Sequence, residues 1–308
     1  MPSGLWSPWR AGRSWYFCPI PFCGGCASSW PEGGSTVSRI RRFTLAQRLF
    51  HLLLMLSFMT QAATGLGRMY IETKWGSLVA SFFGGYELSL TIHKWVGLFM
   101  LSLLGAHIIY VLATIEWRGF PRRLLGPDSL LPHKDDLKQA LGHLGWMLGL
   151  APLPRLDRWT YWEKFDYWAV FWGLFILGGT GLLLFNPVAS SRLLPGWGLN
   201  VTLWVHRIEA ALAMAHIFVI HFFIGHLRRE NFPMDLVMFE GSVDRAKLSH
   251  ERPAWVERLQ REGRLEDLQT LPKPFPWRAA YYIFGYAAMI ACLFLFVGAL
   301  AYSRLVTW

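Results

Sequence analysis

Five long apolar stretches, at about residues 44–67, 88–114, 165–185, 199–225 and 279–302, restrict this chain more than any other feature of its sequence. Each supplies the ~20 residues a helix needs to cross a ~30 Å hydrocarbon core. Backbone groups in lipid must be satisfied within a helix or a closed barrel, and continuous rather than alternating apolar runs select helices. The expected fold is all-α, an integral membrane bundle of five transmembrane helices. With 53% hydrophobic and 16% charged residues in 308, a soluble domain is excluded.

The net charge of +10 does not indicate nucleic acid, because the basic residues sit almost entirely in alternate loops. They precede the first span (Arg39, Arg41, Arg42, Arg48), separate spans two and three (Arg118, Arg122, Arg123, Arg155, Arg158, Lys164) and separate spans four and five (Arg228, Arg229, Arg245, Arg258, Arg264, Lys273). The other two loops carry only Arg68 and Lys74, then Arg192. The positive-inside rule puts the N-terminus and the two basic loops in the cytoplasm and the C-terminus outside, as for a multi-pass protein of a bacterial inner membrane. The chain divides into a cytoplasmic tail (1–40) expected to be poorly ordered, a four-helix domain (41–230), a cytoplasmic loop with a helical segment (231–278) and a fifth span with a short outer tail (279–308). Between spans two and three, residues 141–150 are too short and Gly-rich to cross and are expected at the inner interface. The segment from Pro253 to Leu271 reads as a helical cytoplasmic cover. Trp159, Tyr161, Trp162, Tyr167 and Trp168 read as an interfacial aromatic belt.

Cysteine adds little. Cys18, Cys23 and Cys26 form C-x4-C-x2-C without a fourth ligand, and no His follows the C-x2-C as covalent haem attachment would require. Reduced thiols are expected there, and Cys292 is expected to fill space in span five. No secretory-signal pattern is present.

Histidine carries the chemistry. His51, His93, His107, His206, His216 and His221 fall inside spans, where ionisable side chains are costly and a functional reading is the default. His93 and His107 are 14 residues apart, about 21 Å along a helix and about 40° off one face. His206 and His221 are 15 apart, about 22 Å and about 60°. One imidazole from each helix thus reaches each side of the membrane, and two helices of this kind can clamp two stacked haems through bis-imidazole iron, one near each face of a bundle formed by four of the five helices. His51, about 10 Å into span one, shares the inner depth with His107 and His221. Three imidazoles then compete for two inner axial positions, so either His51 or His107 serves otherwise, as a propionate contact or a quinone hydrogen bond. His216 matches no partner in depth and reads equally as an ordinary satisfied polar residue, while His133, His143, His226 and His250 read as interfacial or solvated. Gly65, Gly97, Gly105, Gly178, Gly179 and Gly181 fit close helix packing or the approach of a flat macrocycle.

The motifs T-I-H-K-W-V-G, then His107, and W-V-H-R-I-E-A-A-L-A, then H-F-F-I-G-H, resemble the second and fourth helices of the diheme cytochrome b superfamily, including the b subunits of bc- and bf-type complexes. That resemblance implies four ligands, His93, His107, His206 and His221. F-T-L-A-Q-R-L-F-H, ending at His51, and the T-G-L after it are similar to the gamma subunit of formate dehydrogenase and the b subunits of membrane hydrogenases, which implies His51 in place of His107. Y-W-E-K-F-D-Y-W-A-V-F-W-G and N-F-P-M-D-L-V-M-F-E-G resemble b-type modules that accompany multihaem c-type cytochromes.

The expected function is that of a membrane cytochrome b subunit of a respiratory complex, with two haem b and an exchangeable quinone (menaquinone or ubiquinone). Having no flavin or Rossmann fingerprint of its own, the chain is expected to work beside a multihaem cytochrome c or an iron–sulfur subunit. Glu209, one turn after His206, is a candidate for proton exchange with quinol, or else a partner of Arg207 or an outer loop. Competing readings are a His-lined membrane metal transporter and a non-redox membrane anchor. Transport sites usually gather mixed ligands at one midplane site, whereas these imidazoles divide between two depths about 20 Å apart.

Overall fold

A computed structural model describes residues 38–115, 117–119, 125–228 and 230–305. Cys18, Cys23 and Cys26, the expected tail, and Arg122, Arg123 and Arg229 lie outside the described residues. The elements run β1 (Arg39–Arg41), α1 (Leu45–Met69), α2 (Lys74–Phe82), α3 (Tyr86–Thr114), α4 (Lys134–Met147), α5 (Tyr161–Phe185), α6 (Pro187–Ser190), α7 (Gly196–Ala215), α8 (Val237–Glu240), β2 (Ser242–Asp244), α9 (Arg245–Glu251), α10 (Pro253–Arg261), β3 (Gln269–Thr270) and α11 (Phe275–Ala301). Five of them, α1, α3, α5, α7 with its continuation to Leu227, and α11, are long and apolar enough to cross a membrane. The all-α membrane bundle is therefore as expected.

Local chemistry sets the ends of these helices. Thr44 caps α1 and Thr160 caps α5, each in a reciprocal capping box with Gln47 or Glu163. The box at Thr160 starts α5 four residues before the apolar run at 165, which draws Glu163 and Lys164 into the helix. In the bundle α1 packs most closely on α3 and α5 on α7, with α3 against α5 joining the two pairs and α11 lying against α1. Gly97 and Gly178 are packing positions: a Cβ there would stand 2.8 Å from Gln61 Nε2 and 2.3 Å from Leu101 Cδ2.

Beyond Ala215, α7 continues as π-helix through His216–His221 and Phe223–Leu227. A π turn takes more residues per revolution than an α turn. It unwinds the 15-residue step from His206 to His221, which in an ideal α-helix would leave the two about 60° apart.

The long loops fold over one end of the bundle. Residues 141–150, expected to be too short to cross and to lie at the inner interface, are largely the C-terminal half of α4, whose His133 and Asp136 form a capping box. Asp136 also receives Lys164 Nζ at 2.9 Å, so the lysine that α5 buries is paired. The expected cover at 253–271 is α-helical only to Arg261, then passes through a 3-10 turn at Glu266–Leu268 into β3. Three strands too short for any sequence pattern, β1, β2 and β3, form an antiparallel sheet in the order β2-β1-β3. Ile40 of β1, Leu248 of α9 and Leu259 of α10 are fully buried under it with Trp255 and Leu265.

Ion pairs fasten this layer to the bundle. Glu163 accepts from Arg42 Nη2 at 2.5 Å and from both guanidinium nitrogens of Arg252 at 3.0 Å. Arg258 bridges Asp128 and Asp157 at 2.8 Å each. Burial would lower the pKa of Arg258, but its hydrogen bonds to Asp128 and Asp157 outweigh this and hold it above the ordinary arginine value.

Candidate cofactor sites

The histidines of α1, α3 and the long α7 meet in two facing pairs. His93 and His206 have ring centroids 6.2 Å apart, and His51 and His221 have theirs 6.4 Å apart. We call His51/His221, at the end covered by the folded loops, the proximal pair, and His93/His206 the distal pair. Two imidazoles on one metal, each through a bond of roughly 2.0 Å with about 1.1 Å more to the ring centre, stand about 6.2 Å apart centre to centre. Both pairs have that spacing. Along α1, His51 is 13 residues from Thr64, the residue that touches His93, so the pairs are about 20 Å apart in depth.

The distal imidazoles are held alike, by a Thr-Gly-Leu triplet that occurs twice. Thr64 Oγ1 donates its proton to the carbonyl of Thr60 at 2.7 Å, and Thr180 Oγ1 donates to that of Ile176 at 2.7 Å. Each hydroxyl then has only lone pairs to offer, and accepts from His93 Nδ1 at 3.0 Å or from His206 Nδ1 at 2.8 Å. A proton on Nδ1 leaves Nε2 with the lone pair a metal requires. The glycine after each threonine seats the ring: a Cβ on Gly65 would be 3.2 Å from His93 Cε1, and one on Gly181 3.5 Å from His206 Cε1. Gly105 and Gly179 would meet nothing within 4 Å.

The proximal pair is supported differently. His221 Nδ1 lies 3.2 Å from Asp166 Oδ2, and the other carboxylate oxygen, Oδ1, lies 2.9 Å from His216 Nε2. Asp166 sits in the second turn of α5 within the aromatic run read as an interfacial belt, and His216 is satisfied by it rather than by backbone. His107, the competing inner candidate, is turned elsewhere. Its Nε2 is 3.1 Å from the Tyr167 hydroxyl, and its ring packs edge-on to Phe50 at 5.1 Å and beside Phe171. Glu209 lies against Gly173 of α5, with Trp172 as a hydrogen-bond partner.

Buried polar atoms without partners occur near both pairs along the chain: Arg68 Nε near the distal end, and Arg48 Nε, one turn before His51, with His226 Nδ1 and Arg228 Nε just after His221. Arg68 is close enough to act electrostatically on His93 and His206, and the His226 ring lies 6.3 Å from that of His221. Paired imidazoles, three of them with Nδ1 partnered so that Nε2 is left for a metal, glycines without side chains beside the distal pair and arginine Nε–H donors without partners are what an iron macrocycle with two propionates needs. Among the described residues no three His, Cys, Asp or Glu side chains group as a metal site of another kind.

Membrane-length helices that bring imidazoles together in pairs at the spacing of a single iron define a membrane cytochrome of the b type. The sequence model of the family described as prokaryotic cytochrome b561 matches residues 42–241, and the chain belongs to that family. No curated protein gives a significant match. The chain is a bacterial multi-pass membrane protein that binds b-type haem and transfers electrons.

Proposed function

We propose that this chain is the cytochrome b subunit of a respiratory complex and holds two b haems, one on His93 and His206 and one on His51 and His221. The observation that carries this reading is the pair of imidazole separations, 6.2 and 6.4 Å, repeated at two depths. When bound, b haem supplies one-electron chemistry between ferric and ferrous iron. The chain's own residues fix the imidazole tautomers, keep the rings apart at axial spacing and offer Arg68, Arg48 and Arg228 to the propionates. Pyridine haemochrome assay of the purified protein is expected to give two haems per chain, all extractable by acid–acetone. Haem that stays with the polypeptide, or a ratio near zero, would remove the reading.

The electrons are exchanged, in this reading, between the quinone pool and a partner redox subunit, a multihaem c-type cytochrome or an iron–sulfur protein. His107 with Tyr167 offers a hydrogen-bonding edge flanked by Phe50 and Phe171, the chemistry a quinone carbonyl and ring would meet. Glu209 is the only acidic residue in the Gly196–Leu227 span and serves as the proton-exchanging group on the distal side.

The proximal end faces the cytoplasm of a bacterial inner membrane, because the folded cap of β1, α9 and α10 gathers the basic loops. A cysteine placed at an exposed cap position such as Arg261 is expected to resist a membrane-impermeant maleimide in intact cells and to react after lysis. Labelling in intact cells would invert the topology.

A further inference from the structure

The two pairs share an iron spacing but differ in what holds the back of each ring. Both distal imidazoles donate Nδ1–H to a neutral threonine hydroxyl. At the proximal pair, His221 faces a carboxylate, and the side chains of Asp166 and His221 are only 22% and 30% exposed. A carboxylate behind a ligating imidazole draws the ring proton toward itself, makes the ring a stronger donor and stabilises the more positive oxidation state of the metal. In a poorly solvated site a full charge at hydrogen-bond distance is felt more strongly than the dipole of a hydroxyl.

We infer that Asp166 is a positioning and tuning residue, which through its hydrogen bond to His221 Nδ1 gives the proximal site the lower midpoint potential of the two. The inference rests on the proposed assignment of His51 and His221 to one haem and of His93 and His206 to the other. His216 moderates the effect, because it holds the second oxygen of the same carboxylate and withdraws part of its charge from His221. The fold thus builds a downhill path for electrons from the proximal to the distal pair, using no residue that touches iron.

Redox potentiometry on the haem absorbance bands of the purified full-length protein tests this, with His93→Ala and His51→Ala identifying the proximal and distal signals. The proximal potential is expected to be the lower. Asp166→Asn should raise it, with at least a tenfold change in the ferrous-to-ferric ratio at fixed ambient potential, about 59 mV for one electron. The distal potential should stay put and both low-spin spectra should remain. Asp166→Glu, which keeps the charge, should stay near wild type. His216→Phe should move the proximal potential in the opposite direction, downward, a result that a merely structural aspartate would not give. The inference is overturned if the proximal potential is the higher, if Asp166→Asn leaves it unmoved, or if both potentials shift together. Should Asp166→Asn lose the proximal haem, His216→Phe decides: a downward shift sustains the inference and no shift overturns it. A single b haem in the wild-type spectrum would instead bring down the two-haem reading, and this inference with it.

Discussion

Alanine in place of His221 is expected to reduce the haem content from two per chain to one, and the haem that remains should keep the low-spin spectrum of a bis-imidazole site. His221 faces His51 at the spacing of one iron, and no methyl group can replace an axial nitrogen. His51→Ala should give the same halved content. His107→Ala should retain both haems, because its Nε2 is engaged with Tyr167 and its ring is packed on Phe50. Its loss is expected in quinol turnover instead. Haem stoichiometry and absorbance spectra of the three variants decide the matter. Loss of one haem in His107→Ala, with both haems retained in His51→Ala, would transfer the proximal ligand to α3.

Glu163→Ala is expected to be the most destabilising change in the loop layer. It removes the common acceptor of Arg42 and Arg252, whose side chains are only 6% and 4% exposed, and leaves two cations without an anion. Breaking a buried pair from one side costs about 3–5 kcal/mol. Glu163 is also the reciprocal partner of Thr160, so the capping box of α5 loses its side-chain half in the same step, while the Thr160 hydroxyl still accepts from the backbone N–H of residue 163. Glu257→Ala is the control. Its pair with Arg155 is more than half exposed, and its loss should cost less than about 1 kcal/mol. Thermal unfolding of the detergent-solubilised protein should separate the two clearly; equal effects would mean that the Glu163 network does not hold the layer in place.

The membrane helices were legible because lipid imposes one rule on every residue of a span, and hydropathy averages over that rule. The 14- and 15-residue histidine steps were legible for a related reason, since helical rise converts spacing directly into depth. Rotation was not. Whether His51 or His107 faces His221 depends on how α1 and α3 turn about their axes, and on a π segment that the apolar sequence of His216–His221 does not announce. Asp166 went unnoticed inside Y-W-E-K-F-D-Y-W because its aromatic neighbours suggested an interface, although a carboxylate in an apolar span was itself a signal. The doubled T-G-L was also in plain view, but a hydroxyl that supports an imidazole on another helix has no mark in its own segment. The three strands escaped because two or three residues are too few to show alternation.

The depth between the two histidine pairs carries an electrical consequence. About 20 Å is roughly two-thirds of the ~30 Å hydrocarbon thickness. An elementary charge crossing the whole membrane does about 2.3 kcal/mol of work per 100 mV, so an electron moving between the pairs does about 1.5 kcal/mol, close to a tenfold change in its distribution. In the orientation proposed above, a cytoplasm negative to the outside drives the electron from the proximal to the distal pair. With a haem on each pair, as proposed, energising the membrane would redistribute electrons within this single chain, with no change in any contact its residues make.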